Sequence, residues 1–234
     1  MVCFKINESM SIPTDLTLYS YWRSSASYRV RLALAIKGLT YTQVPIHLLN
    51  NGGEHKTEQY KELNPQALVP TLIHKGQVLT QSLAIIEYID EIFPDPALLP
   101  SNPHERAQVR AIAQAIASDT APIQNLRVLN RLETQFGAGQ DQKTDWAKHW
   151  IQTGLWAVEA MLQTHHAQPS SAAFCVGQGP TLADCCLLPQ VYNAQRFGVD
   201  MADMPTIRAI CANLGHNEDI KQAEPDKQPD APKD

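Results

Sequence analysis

The sequence predicts two units of different class, an α/β unit with a mixed four-stranded sheet followed by an all-helical unit. Three observations carry this. Over residues 15–94, short apolar runs with strand character alternate with helical periodicity in the order β-α-β-α-β-β-α. A proline-rich joint, from Pro94-Asp95-Pro96 to Pro103, then interrupts the chain. Beyond it strand signals vanish and long helical runs take over.

Taken in order, residues 16–21 read as a buried strand, and the polar turn Arg23-Ser24-Ser25 leads into a helix over 26–37. That helix has Val30, Ala33, Leu34 and Lys37 at helical spacing and Gly38 as its stop. Residues 41–46 form a second strand, placed at a sheet edge because Pro45 has no N–H for a ladder. A Gly-containing loop at 50–55 precedes a short helix at 58–63, which Asn64-Pro65 ends. The runs 68–73 and 78–80, joined by Lys75-Gly76-Gln77, make a hairpin. Gln81-Ser82 opens a third helix, with Leu83, Ile86, Ile89 and Phe93 on one stripe.

Helical runs are then expected at 104–136, 142–166, 181–195 and 203–214, with glycine-bearing loops at 137–139 and 177–180. Thr181-Leu182-Ala183-Asp184 has the spacing of a capping box with Asp in place of Glu. The domains predicted are therefore 15–94 and 104–215, with an extension at 1–14, a linker at 95–103 and a tail at 216–234. The tail is rich in Asp, Lys, Pro and Gln, a composition that suggests a mobile segment or one laid over the surface.

Composition narrows the function. The 234 residues are 44% hydrophobic and 18% charged, which suits a globular chain with a sizeable core. A net charge of -5 argues against a nucleic-acid binder, which would present a basic face. No apolar run approaches the roughly 20 residues that span a bilayer. The first fifteen residues hold one lysine and no long apolar core, so no secretory signal is read and a cytoplasmic location is expected. Five cysteines with no C-x-x-C pair fit reduced thiols, and His165-His166 stands at no metal-ligand spacing. No metal is expected.

The chemistry centres on Ser24 and Ser25. A helix N-terminus presents unpaired N–H groups and the positive end of the helix dipole. Serine there serves as an N-cap or donates its hydroxyl to a bound anion, and the two duties are compatible. The segment alone does not choose between them.

Other motifs do. A β-α-β-α-β-β-α unit with proline opening the third strand resembles the thioredoxin-like fold, and followed by a helical unit it resembles a cytosolic glutathione transferase. Closer still, five stretches resemble the zeta class, that of maleylacetoacetate isomerase. They are Ser24-Ser25-x-x-Tyr28-Arg29-Val30-Arg31, Leu63-Asn64-Pro65-Gln66-x-x-Val69-Pro70-Thr71-Leu72, Gln81-Ser82-Leu83-Ala84, and Thr181-Leu182-Ala183-Asp184 with Asn193-Ala194-x-Arg196-Phe197. The resemblance spans about residues 15–215.

The resemblance implies glutathione as cofactor. Val69-Pro70 is implied to be cis, with the Val69 backbone pairing with the cysteinyl part of the tripeptide. Ser82 would take the γ-glutamyl carboxylate at its helix start, with Gln81 adding an amide contact. A free cysteine thiol has a pKa of about 8.5, so sulfur needs help to ionise. Ser24 is the implied hydrogen-bond donor to the thiolate, with Ser25 in support. His55 stands at the loop position that contacts the glycine end, and Asn125 where a helix approaches the site.

Arg23, Arg127 and Arg196 are the candidates for substrate carboxylates, arginine suiting planar bidentate pairing. Arg29 and Arg31 read as facing the second domain or a partner subunit. The implied reaction is cis–trans isomerisation of a maleyl dicarboxylate, by thiolate addition, bond rotation and elimination. Maleylacetoacetate, in tyrosine and phenylalanine breakdown, is the first substrate; maleylpyruvate, general conjugation and a non-catalytic interaction module are alternatives. A homodimer is implied by the family. At position 26 many members carry Cys where this chain has Ala26, so the nucleophilic sulfur must come from glutathione.

Overall fold

The computed structural model describes residues 15–166 and 168–233. The expected extension at 1–14 lies outside the described residues, as does Cys3. The chain divides into two compact units. The first takes the described residues up to Leu98 together with those from Gly215 on, and the second runs Leu99–Leu214. The boundary thus falls between the two leucines of the proline-rich joint.

In the first unit, β1 (Leu16–Ser20) alternates buried and half-buried residues, as a strand covered on one face should. Ser25–Ile36 forms α1, and β2 (Thr42–Pro45) pairs parallel to β1 as a sheet edge. Two short 3₁₀ turns, Asn50–Gly52 and Glu54–Lys56, lead to α2 (Glu58–Leu63). The hairpin is β3 (Thr71–His74) and β4 (Gln77–Thr80), and α3 spans Ser82–Ile92. Strand order is β2-β1-β3-β4, with β3 antiparallel to both neighbours. This is the mixed four-stranded sheet predicted. The third strand starts at Thr71 rather than at residue 68, because the cis Val69-Pro70 peptide lies ahead of the ladder.

Val30, Ala33, Leu34 and Ile36 of α1 are almost fully buried, with Leu18, Leu72, Ile85, Ile86 and Ile89 in the same core. Lys37, at the C-cap of α1, is buried as well. Its Nζ meets the Asp90 carboxylate at 2.7 Å and the carbonyls of Phe93 and Pro96 at 2.7 and 2.8 Å. Every proton of that ammonium has an acceptor, which is what makes a buried charge tolerable.

The second unit is all helical among its described residues. It holds α4 (Pro103–Gln114), a π-helical turn (Ala115–Thr120), α5 (Ala121–Ile123), α6 (Leu126–Phe136), α7 (Gln140–Gln163), α8 (Leu182–Arg196) and α9 (Pro205–Leu214). The single run expected at 104–136 is therefore broken. Pro122 lacks the N–H that a continuing helix uses, and the Asn125 side chain caps a new helix by accepting from the Arg127 N–H at 3.1 Å. Beside the break, Gly154 of α7 meets Thr120 so closely that an added Cβ would collide with the Thr120 side chain. The capping box is present at the start of α8. Asp184 accepts from the Thr181 N–H at 2.8 Å and from its hydroxyl at 2.7 Å, and also from the Cys175 N–H at 2.8 Å.

The tail has structure that its composition does not announce. Asn217 caps α10 (Glu218–Gln222), which packs on α1, and Ile220, Ala223, Pro225 and Gln228 are buried. A few apolar residues and one well-held glutamine suffice: the Gln228 side-chain amide donates to the carbonyls of Gln222 and Glu224 at 2.9 and 2.8 Å. No helix among the described residues is long and apolar enough to cross a membrane.

Candidate active site

The site is built where β1 gives way to α1. Ser24 is the N-cap, with extended backbone angles, and its Oγ accepts from the Ser27 N–H at 3.2 Å. Capping uses an oxygen lone pair, and the hydroxyl proton remains for a different acceptor. One serine can therefore do both jobs. Ser25 is the first residue of α1, and both serines are half-buried. Arg23 lays its guanidinium over the Trp22 ring, 5.3 Å from the centroid.

The loop before β3 comes close to this turn through an apolar cluster of Tyr21, Tyr60 and Val69, flanked by Tyr19, Trp22, Ile46 and Leu48. Val69-Pro70 is cis. The loop is pinned by residues to which sequence reasoning gave no site role. Asn64 Nδ2 donates to the Leu68 carbonyl at 2.7 Å, and the Tyr60 hydroxyl donates to the same oxygen at 2.8 Å. Burial pushes the Tyr60 phenol up, against the opposing effect of its hydrogen bonds with Thr71 and Asn64, so it acts as a neutral donor. The signal was present in the sequence, since Asn64 belongs to the Leu63-Asn64-Pro65-Gln66 motif, where it reads only as a helix terminator.

At the start of α3, Gln81 has φ 68° and ψ 116°. A non-glycine residue held there carries strain of order 1–3 kcal/mol, a cost met mainly at functional sites. Its side-chain amide donates to Gln66 Oε1 at 2.6 Å. Ser82 is buried, and its hydroxyl oxygen accepts from Nη1 of Arg29 at 3.2 Å. With its oxygen accepting from Arg29, the Ser82 hydroxyl keeps a proton for a separate acceptor.

Arg29 and Arg31 are 4% and 1% exposed, so neither is a surface charge. Arg31 donates to the Trp22 carbonyl at 2.9 Å, to Ser20 Oγ at 3.2 Å and to the Ala223 carbonyl at 3.0 Å. The sequence shows two arginines on an otherwise apolar helix, which could have marked them as held internally.

His55 is buried in the second 3₁₀ turn. Gly53 makes room for it: at φ 105°, a Cβ there would meet the Leu48 carbonyl oxygen at 2.9 Å and His55 Nδ1 at 2.8 Å. That Nδ1 has no hydrogen-bond partner. Burial, and then the Lys56 charge, hold the imidazole below its ordinary pKa.

The remaining candidates lie in the second unit. Asn125 is the α6 cap described above, and Arg127 is exposed on the first turn of α6. Arg196 ends α8, donates to Asn193 Oδ1 at 3.2 Å and stacks 5.0 Å from the Phe197 ring. No group of three or more His, Cys, Asp or Glu able to hold a metal occurs among the described residues. Cys175 is a buried thiol and Cys211 a partly buried one, the latter pushed up to about 12 by desolvation and then by Asp184.

The donors fit a tripeptide with a thiol. Two hydroxyls with protons to spare stand at two helix starts, and an unpartnered imidazole nitrogen lies in the same unit. Residues 14–91 match the glutathione S-transferase N-terminal domain. A probable maleylacetoacetate isomerase of Vibrio cholerae is 46% identical over 217 residues, covering 93% of this chain and 99% of that protein. A maleylpyruvate isomerase structure, described as a bacterial glutathione S-transferase of the zeta class, is 43% identical with a TM-score of 0.87, covering 92% and 100%.

The chain belongs to the zeta class of glutathione transferases, the maleylacetoacetate isomerase family.

Within this family, the maleylacetoacetate isomerase of Anaeromyxobacter dehalogenans has been solved with glutathione in its active site. It is 41% identical, with a TM-score of 0.82 over 94% of this chain and 99% of that one. The same enzyme has been solved with dicarboxyethyl glutathione and citrate bound, at 40% identity and a TM-score of 0.80, covering 94% of each chain. The zeta-class chain described here has the thioredoxin-like first unit of its relatives, and Ala26 on the first turn of its α1.

Proposed function

We propose that this zeta-class chain is a glutathione-dependent cis–trans isomerase with maleylacetoacetate as its substrate, acting in tyrosine and phenylalanine breakdown. The observation that carries the reading is Ser24: a helix-capping hydroxyl whose acceptor side is used by the Ser27 N–H and whose proton is left to donate. When bound, glutathione supplies a thiolate that adds to the cis double bond and later leaves, so that rotation can occur about a single bond.

The chain's own part is to hold and charge that thiolate. Ser24 donates to the sulfur, and the α1 N-terminus and Ser25 add favourable potential, all lowering the thiol pKa. Ser82, turned by Arg29, and Gln81 hold the γ-glutamyl carboxylate, the Val69 backbone beside Pro70 holds the cysteinyl amide, and His55 contacts the glycine carboxylate. Asn125 is assigned to glutathione, and Arg23, Arg127 and Arg196 to the substrate's carboxylates and to the charge that develops on its carbonyl. Cys175 and Cys211, with their raised pKa values, are poor thiolates, and Ala26 offers no sulfur.

Likeness to a maleylpyruvate isomerase supports a second reading, in which maleylpyruvate is the substrate. Kinship with the class supports a homodimer and a cytoplasmic location, which sedimentation and cell fractionation test. The deciding experiment incubates the protein with each maleyl compound, with and without glutathione, and follows loss of the cis substrate. Absence of glutathione-dependent turnover with both refutes the isomerase reading.

A further inference from the structure

The turn carrying Ser24 is gripped from the far end of the chain. The Trp22 N–H donates to Asp230 Oδ2 at 2.8 Å across 208 residues, and the Gln43 side-chain amide donates to Asp230 Oδ1 at 3.1 Å. The Trp22 carbonyl accepts from Arg31, whose Nε donates to the Ala223 carbonyl of the same tail. Both backbone groups of Trp22 are thus held, one by the tail directly and one by an arginine the tail also holds. Ser24 follows two residues later, its own N–H donating to the Tyr21 carbonyl at 3.0 Å.

We propose that the C-terminal segment is a strap that positions the thiolate-binding turn, with Asp230 as the positioning residue for Arg23 and Ser24. The proposal rests on reading that turn as the seat of the glutathione sulfur. A carboxylate suits the place because it offers two acceptor oxygens and no donor, matching one N–H from the turn and one from β2. Clipping Trp22 to the edge strand fixes the turn against the sheet, so the Ser24 hydroxyl meets sulfur without first ordering its loop. Arg31 contributes the opposite charge on the other side of the Trp22 peptide.

The test uses the full chain with Asp230→Ala and Asp230→Asn. Asparagine keeps one acceptor for Trp22, and its amide still pairs with Gln43 once the glutamine amide turns over. In Asp230→Ala the Trp22 amide should exchange its hydrogen at least about tenfold faster, the scale of losing a hydrogen bond to a charged group. The pH midpoint for forming the glutathione thiolate, read from its ultraviolet absorbance in the binary complex, should rise. Turnover should fall more than KM for glutathione changes, and Asp230→Asn should restore exchange, midpoint and turnover.

Parent-like exchange and midpoint in Asp230→Ala overturn the proposal, as does an asparagine variant as impaired as the alanine one. If Asp230→Ala does not fold, Gln43→Met decides, since it removes only the second contact. A smaller rise in the midpoint supports the strap, and an unchanged midpoint overturns it. A parent protein that forms no thiolate with glutathione refutes the functional reading instead. The exchange measurement needs no ligand and still reports whether Asp230 holds the turn.

Discussion

Ser24 has two duties, and a pair of substitutions should separate them. Alanine removes both the cap acceptor and the donor proton. Ser27, whose N–H loses its partner, is fully buried, so water cannot replace the bond. The stability cost should therefore lie near the upper end of the N-cap range, about 2 kcal/mol, or roughly 4–8 °C in the unfolding midpoint for a chain of this size. Aspartate keeps the cap, since its carboxylate accepts from the same N–H and favours the helix N-terminus. It has no proton to give at neutral pH, and it puts a negative charge beside a thiolate. Ser24→Asp should be as stable as the parent within about 0.5 kcal/mol, yet less active than Ser24→Ala. A hydrogen bond to a charged group contributes about 1.5–3 kcal/mol, so Ser24→Ala should lose roughly 10- to 150-fold in kcat/KM, and Ser24→Asp more. Thermal unfolding and isomerase kinetics on the same preparations provide the assay. A stable Ser24→Asp with parent activity would refute the assignment of Ser24 as donor, and an Asp variant as unstable as the Ala variant would refute the capping argument.

Three further outcomes follow from the packing of the same fold. Arg29→Met should weaken glutathione binding roughly tenfold by leaving the Ser82 hydroxyl unturned; calorimetry should find the loss small once Ser82→Ala is already present, and full additivity would count against the coupling. His55 is held below its ordinary pKa by burial, so the folded state binds fewer protons than the unfolded chain between its lowered value and about 6.5. Stability should fall as pH drops through that window, and denaturant midpoints in His55→Gln should show a flatter acid limb. Gly154→Ala should cost about 1–3 kcal/mol by forcing a methyl against Thr120, with Thr120→Ala recovering part of the loss; an unchanged midpoint would mean that α7 shifts without cost.

Much of the first unit was legible because its signals are local. The apolar run at 16–20, proline on the edge strand β2 and the glycine after α1 each report a constraint within a few residues. So does Asp184 three residues after Thr181, which folds into the box that its spacing predicts. The helical run expected at 104–136 is too long because the missing N–H of Pro122 and the Asn125 cap break the ladder there. The serines, Val69-Pro70 and Gln81-Ser82 were legible as separate motifs. The sequence offered no means of telling that the Ser24 cap leaves a proton over, because that depends on which N–H meets the oxygen.

Local chemistry, then, was decided by the chain's own order: where helices start, which strand lies at an edge, which hydroxyls stand at helix ends. Tertiary structure alone decided what those groups touch. It turned Arg29 onto Ser82 across 53 residues and Arg31 onto the tail across 192, and it brought Asp230 to Trp22 across 208. Periodicity and capping arise from neighbours along the backbone and can be read from spacing. A buried arginine or carboxylate is set by partners that only the packed chain delivers, since each donor must find an acceptor once water is gone.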